Sequence, residues 1–293
     1  MPELIPDDDL KIINKVQDKV FSSIKPGIAW SDLNILDDVN ASKGEIQELG
    51  EKIAVNNPEL SATILEIAGS VYFGHSLQGG IPDFFEAVMH MGADRIKVLL
   101  FSLSLFALDK GPEAKLRAAK SASIGILGRM IAQGMNFKDE LVRKIETGGL
   151  LSRLGKDIFM KARAEGLDIS DELIEKYAAT LTSRIVDKLG LDPFIKQAAD
   201  MSAAEFDEDS LSPAGVIKLA ETVTEDSFGK YGKLVLRSPL PDKDNILART
   251  PGDDIRKVFS ALGVDEYLEV WEVPTLRQKE AAEKRGRAGL KKG

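Results

Sequence analysis

The sequence predicts an all-α fold followed by a small C-terminal extension whose pattern admits strands as well as helix. Three observations carry that prediction. Apolar residues recur at three- and four-residue spacing through most of the chain. Cap-and-proline pairs open one segment after another. No convincing alternating strand pattern occurs before residue 230.

Leu10, Ile13, Val16, Val20 and Ile24 fall on one face of a first helix. Ser42 with Glu45 has capping-box spacing and opens a helix whose stripe is Ile46, Leu49 and Ile53. Asn57-Pro58 ends that helix and starts the next, because Asn caps and proline at the first helical position gives up no needed hydrogen bond. Leu60, Ile64, Ile67 and Ala68 share its inner face. Gly79-Gly80 breaks the chain, a short helix runs through Phe85 and Val88, and Gly92 ends it. From 96 to 108 apolar side chains occur on all sides, which places that helix among others. Leu116, Ser123, Leu127 and Ile131 mark the next helix, and Leu151, Leu154 and Ile158 another. Ile174, Tyr177, Leu181, Ile185 and Leu189 run to a stop at Gly190. Asp192-Pro193 and Ser212-Pro213 each have the form of a cap followed by a first-turn proline.

After Gly229 the pattern changes. Residues 234–236 suit a short strand, and Pro239, Pro241 and Gly252 punctuate a loop. Thr250-Pro251 opens a helix carrying Ile255, Val258, Phe259 and Leu262 to a stop at Gly263. Residues 267–273 read equally as strand or helix, since short apolar runs do not discriminate. The expected division is a helical domain over 1–228, an extension over 229–274 and a basic, mobile tail over 275–293.

Composition narrows the function classes. In 293 residues, 39 Lys and Arg stand against 47 Asp and Glu, a net charge of −8, and there is no cysteine. Disulfide scaffolds, thiolate nucleophiles, iron–sulfur clusters and cysteine zinc sites are thereby excluded. Two histidines, His75 and His90, leave little room for chemistry that needs several imidazoles. The acidic balance argues against broad nucleic-acid binding, which needs a cationic footprint. The N-terminus lacks a basic start and apolar run, and the longest charge-free apolar stretch, 98–108, is too short for a bilayer core of about 30 Å. A cytoplasmic location is expected.

The stretch 57–70, Asn-Pro-Glu-Leu-Ser-Ala-Thr-Ile-Leu-Glu-Ile-Ala-Gly-Ser, resembles the signature of the HDOD family. Pro58, Leu60, Ser61, Leu65, Ala68, Ser70, Tyr72 and Gly74 follow that pattern; Gly69 stands where Asn is usual and Asn57 where Asp is. Ile81, Glu86-Ala87-Val88 and Gly92 resemble the helix that follows it. The resemblance spans roughly residues 10 to 228 and implies an all-helical, HD-like regulatory fold of bacterial signalling proteins, related to the HD phosphohydrolases.

That relationship implies where metal ligands would stand. Residues 149–156, Gly-Leu-Leu-Ser-Arg-Leu-Gly-Lys, resemble the Gly-Leu-Leu-His-Asp-Leu-Gly-Lys of active enzymes, with Ser152 and Arg153 replacing the His-Asp pair. Lys120-Ser121 resembles an earlier His-Ser, Glu221 stands at a final Asp, and the paired histidines of the active enzymes have no counterpart near Asp200-Met201. Cations at ligand positions repel Mg²⁺ or Mn²⁺, so no metal, cofactor or catalytic residue is expected. Lys120, Ser121, Ser152, Arg153 and Glu221 line the candidate ligand cleft. Lys120 and Arg153 either converge into a cationic pocket able to hold a phosphate or nucleotide, or pair with acids such as Glu146, Asp157 or Glu221, or face solvent.

Neither histidine is read as a ligand: His75 falls in a loop, His90 near a helix end, 15 positions apart. Asp7-Asp8-Asp9 suits the positive end of a helix dipole. The tail from 275 has seven basic and two acidic residues, +5, which leaves −13 for the rest. It admits a solvated fraying helix, docking on acidic surface, or weak contact with nucleic acid or anionic membrane, with no aromatic platform for stacking. Residues 233–275 also resemble the last strand–helix–strand–helix of a STAS domain, a protein-binding module, and are expected to pack on the helical domain because a half-sheet alone exposes its edges. The expected function is a non-catalytic signal-transduction module that binds a protein partner, or a nucleotide. The alternative is a divergent HD-type metal-dependent phosphohydrolase.

Overall fold

The computed structural model describes residues 5–23, 29–38, 40–69, 81–107, 111–199, 212–239, 255–256, 259–260 and 263–273. The elements run α1 (Asp7–Ser23), a 3-10 helix (Trp30–Asp37), α2 (Lys43–Asn56), α3 (Pro58–Ala68), α4 (Phe84–Met91), α5 (Ala93–Ala107) and α6 (Pro112–Gly134). Then follow α7 (Asp139–Leu151), α8 (Leu154–Ala164), α9 (Asp171–Lys188), α10 (Pro193–Ala199), α11 (Pro213–Tyr231), β1 (Leu234–Pro239) and β2 (Leu268–Val273). His75, the Gly79-Gly80 break, the helix start at Thr250-Pro251 and the tail from 275 lie outside the described residues.

The local signals sit where the spacing puts them. Ser42 Oγ accepts the Glu45 amide at 3.3 Å while the Glu45 carboxylate accepts the Ser42 amide at 2.8 Å, a reciprocal cap that opens α2. Asn57 Oδ1 accepts the Leu60 amide at 3.2 Å, with Pro58 in the first turn of α3. Ser212 caps α11 through the Gly215 amide at 3.1 Å. Asp83, which has with Glu86 the same three-residue spacing as Ser42 with Glu45 but was not singled out from the sequence, caps α4 through the Glu86 amide at 2.9 Å, and that bond holds its carboxyl below the usual range.

Helix α5 explains why its segment is apolar on all sides: it stands between two buried clusters. Ile96, Leu99 and Leu100 join a cluster built from α2, α3, α4, α6, α7 and α11. Val98, Phe101 and Leu105 face the other way, into a cluster with α1, α8 and α9. Lys97, which immediately precedes the charge-free run 98–108, is itself fully buried; its ammonium donates to both carboxylate oxygens of Asp37 at 2.5 Å.

Two glycine contacts set the frame of the cleft described below. A Cβ on Gly149 of α7 would lie 3.0 Å from Gly125 Cα and 3.1 Å from the Ile124 carbonyl oxygen on α6, so the two backbones touch. A Cβ on Gly155 of α8 would overlap the Ala178 carbonyl on α9, and the Gly155 amide donates to Thr182 Oγ1 at 2.9 Å. Any side chain at either position would push the helices apart.

The C-terminal extension adds β1 and β2 as a parallel pair, in register from Leu234↔Leu268 to Pro239↔Val273. A parallel pair requires a crossover, and residues 255–256 and 259–260 within it are helical. Residues 267–273, ambiguous in sequence, take a 3-10 turn (Asp265–Tyr267) and then strand. Leu234, Ile255, Phe259 and Val264 are buried in the same cluster as α2–α7 and α11, so the extension packs on the helical core as its exposed edges required. Ser227 of α11 ties it down: its hydroxyl donates to the Lys233 carbonyl at 2.8 Å and accepts the Val235 amide at 3.0 Å. Among the described residues no helix is long and apolar enough to cross a membrane.

Candidate functional site

The residues expected to line the cleft gather where α6, the α7–α8 junction and α11 meet. Helix α6 presents Arg117, Lys120 and Ser121 at three- and four-residue spacing, hence on one face. The junction supplies Ser152 and Arg153, and α11 brings Glu221, Glu225 and Phe228 to one side by the same spacing. The Gly125–Gly149 and Gly155–Ala178 contacts hold α6, α7, α8 and α9 close enough for these side chains to meet.

Lys120 and Arg153 converge, and what they converge on is Glu225. Lys120 Nζ donates to Glu225 Oε2 at 2.6 Å, and Arg153 Nη1 to Glu225 Oε1 at 2.5 Å. Arg153 Nη1 also lies 3.5 Å from Glu221 Oε1. The Lys120 ammonium sits 5.6 Å from the centroid of the Phe228 ring, a cation–π contact. Burial pushes the Glu225 carboxyl up, but the hydrogen bond from Lys120 and the charges of Arg153, Lys120 and Lys156 outweigh it and hold the group below the usual range. Glu225 reaches the cations from the solvent side: its side chain is 41% exposed, against 19% for Lys120 and 13% for Arg153.

Beneath this layer lies a second. Asp157, 5% exposed, takes the Ser121 hydroxyl; burial pushes its carboxyl up to about 6 against the pull of Arg153, Arg117 and Lys156. Ser121 therefore belongs to the buried floor. Ser152 does not join the site, because its hydroxyl donates to the Gly149 carbonyl at 2.8 Å and closes the end of α7. Of the three acids named from sequence as partners, Glu221 touches Arg153 and Asp157 lies under it. Glu146 is elsewhere: it is buried against Arg95 of α5, with Arg129 Nη1 3.6 Å away. Glu225 and Phe228 were not foreseen. The available signal was the one-turn spacing from Glu221, which places Glu225 beside it on the same helix.

The arrangement does not suit a divalent metal. Two of the positions where the resemblance implies ligands carry cations, Lys120 and Arg153, and both already hold a carboxylate. Among the described residues no group of three or more His, Asp or Glu side chains could hold such an ion. His90, on α4, lies 3.9 Å from Glu86 and away from the cleft. A polar cleft of about 340 Å³ opens away from these residues, beside the start of α5, lined in part by Asp37, Asp94, Arg95, Glu140 and Lys144. Its charges largely satisfy one another: Lys97 holds Asp37, and Lys144 bridges Glu140 and Asp192 at 2.9 Å each.

Comparison with known proteins gives the cleft its context. The model of the family described as HDOD domain matches residues 31–191, more than half of the chain. Lys120, Ser121, Ser152 and Arg153 lie inside that match; Glu221 and Glu225 lie beyond it. A solved candidate metal-dependent phosphohydrolase from Shewanella amazonensis SB2B is 13% identical, with a TM-score of 0.52 over 88% of this chain and 100% of that one. At that identity the likeness is one of fold. A candidate phosphohydrolase from the same organism (14%, TM-score 0.48, covering 86% and 88%) and an HDOD domain protein of unknown function from Geobacter sulfurreducens (15%, 0.42, covering 88% and 84%) are also similar. No curated protein matches the chain.

Proposed function

This chain belongs to the HDOD domain family, and from that premise we propose that it is a regulatory module without catalytic activity, acting by binding a signalling protein through an HD-like helical scaffold. One observation carries the reading: at two positions where the resemblance to the HD enzymes implies metal ligands, Lys120 and Arg153 close on Glu225 at 2.6 and 2.5 Å. A metal ion makes a nucleophile of water only when neutral or anionic groups hold it. Two fixed cations do the opposite, raising the cost of bringing a divalent ion near. What is left is recognition. Helix α11 belongs both to the cleft and to the packing of β1, so a change in the cleft has a physical route to the surface. A partner that favoured one placement of α11 would read that change as a shift in population.

Metal analysis of the purified full chain, together with hydrolysis of a generic phosphodiester in Mn²⁺ and Mg²⁺, tests the proposal. We expect neither stoichiometric metal nor turnover. Stoichiometric metal with turnover lost in Glu221→Ala would replace it with the divergent phosphohydrolase.

A further inference from the structure

We propose that the Lys120–Arg153 pair is a binding site for a phosphoryl group, in which the Glu225 carboxylate acts as a displaceable internal occupant. The inference deepens the reading above and rests on it, since a divalent metal at these positions would take the carboxylates as its ligands and would itself hold the anion in place of the two cations.

The geometry favours exchange over permanence. Glu225 approaches from the solvent side, so it can swing out without opening the core, and the cations it leaves are mostly buried and fixed. Donors also outnumber acceptors. The two Glu225 oxygens are each committed, one to Lys120 and one to Arg153. Lys120 has three N–H donors, and the buried Nε of Arg153 has no hydrogen-bond partner among the described residues. A phosphoryl group offers three oxygens and up to two charges where the carboxylate offers two oxygens and one, and Arg and Lys are the side chains that suit it. Glu221 stays at 3.5 Å from Arg153 and keeps that cation aimed when Glu225 leaves.

Exchange would be felt at the C-terminal strands. One turn beyond Glu225, Phe228 underlies Lys120 and packs on Tyr267, ring centroids 6.3 Å apart, immediately before β2. Ser227 holds the start of β1. Releasing Glu225 removes two of the ties that fix this turn of α11 on α6 and α8, and Trp271 on β2, about half exposed, stands where the change can be seen.

The test is a calorimetric titration of the full chain and of Glu225→Gln, Lys120→Met and Arg153→Met with inorganic phosphate, pyrophosphate and a nucleoside monophosphate. Trp271 fluorescence is followed in parallel on a Trp30→Phe background. Circular dichroism confirms that each variant is folded, and Arg153→Lys replaces Arg153→Met if the latter is not. A tethered carboxylate competes at high effective concentration, so we expect Glu225→Gln to bind at least about tenfold more tightly than wild type. The Lys120 and Arg153 variants should lose binding, and fluorescence should shift with saturation. Tighter binding of the nucleotide than of phosphate would identify a nucleotide as the source of the group; equal binding would identify free phosphate. Absence of saturable binding in Glu225→Gln, or binding no tighter than in wild type, overturns the proposal. Neither result touches the non-catalytic reading, which metal analysis and turnover decide separately.

Discussion

Glu146 and Glu225 each stand between two cations, and the two assemblies differ in almost everything else. Glu146 of α7 lies against Arg95 of α5 and near Arg129 of α6, with Glu146 and Arg95 only 1% and 4% exposed. Glu225 of α11 lies between Lys120 of α6 and Arg153 beside α8, and much of its side chain meets water. In each, one carboxylate meets two cations. Access differs, and access decides what each can be. Taking ions out of water costs several kcal/mol each, so a sealed assembly persists only while every member is present. An assembly whose anion is half in water can trade it. A cluster of charges therefore marks a binding site only when one member can leave.

The largest expected effect tests the sealed member. Glu146→Gln leaves Arg95 buried beside a neutral group, and we expect about 3–5 kcal/mol of stability to be lost in urea unfolding. A loss below about 1 kcal/mol would mean that Arg95 finds its compensation elsewhere, and the contrast with Glu225 would fail.

Next comes the floor under the open site. The Asp157 carboxyl titrates near 3.8 when unperturbed and is pushed up to about 6 by burial in the folded protein. The folded state therefore holds the proton more firmly. The stability this group contributes is complete below pH 3.8 and is lost as pH rises through about 6. Asp157→Asn keeps the shape and cannot ionise. Its stability relative to wild type should rise by roughly 3 kcal/mol between pH 3.5 and 7.5, two pKa units at 1.36 kcal/mol each. Urea midpoints for both proteins at the two pH values measure this, and a difference that does not change with pH refutes it.

How much of this was readable from the chain follows from the range of each interaction. The caps at Ser42, Asn57 and Ser212 are made within three residues, so spacing alone exposes them. The apolar run of α5 told correctly that it is surrounded, because burial on all sides leaves no polar face. The burial of Lys97, at the edge of that run, was not legible, since its partner Asp37 is 60 residues away and nothing local announces the pair. The cleft divides the same way. Lys120 and Arg153 were visible because a motif marks their positions, whereas Glu225 is 105 and 72 residues from them and sits in no motif. Glu146 was an available acid by composition and went to Arg95, 51 residues away, because α5 and not α8 passes its face. Local chemistry writes element boundaries; which charges meet is a property of the packed helices.

The Lys97–Asp37 pair is an intermediate case that sharpens the contrast. Its cation is sealed, at 1% exposure, while its carboxylate is 45% exposed. Asp37→Asn leaves a buried ammonium with a neutral acceptor, and the expected loss is about 2 kcal/mol, between the other two assemblies. A loss equal to that of Glu146→Gln would show that sealing the cation alone sets the cost.

The smallest effect is expected at Glu225 itself. Two short ion pairs would suggest a strong contribution, but a carboxylate this open retains much of its hydration, and its removal leaves Arg153 with Glu221 at 3.5 Å as counter-charge. Although both cations are mostly buried, the open carboxylate and the remaining counter-charge bring these pairs close to the exposed limit of about 0–1 kcal/mol, so Glu225→Gln should unfold within about 1 kcal/mol of wild type at neutral pH. A cost that small is what exchange of Glu225 for a competing anion requires. If the substitution instead costs as much as Glu146→Gln, both assemblies are structural, α11 is locked in place, and the cleft has no exchangeable member.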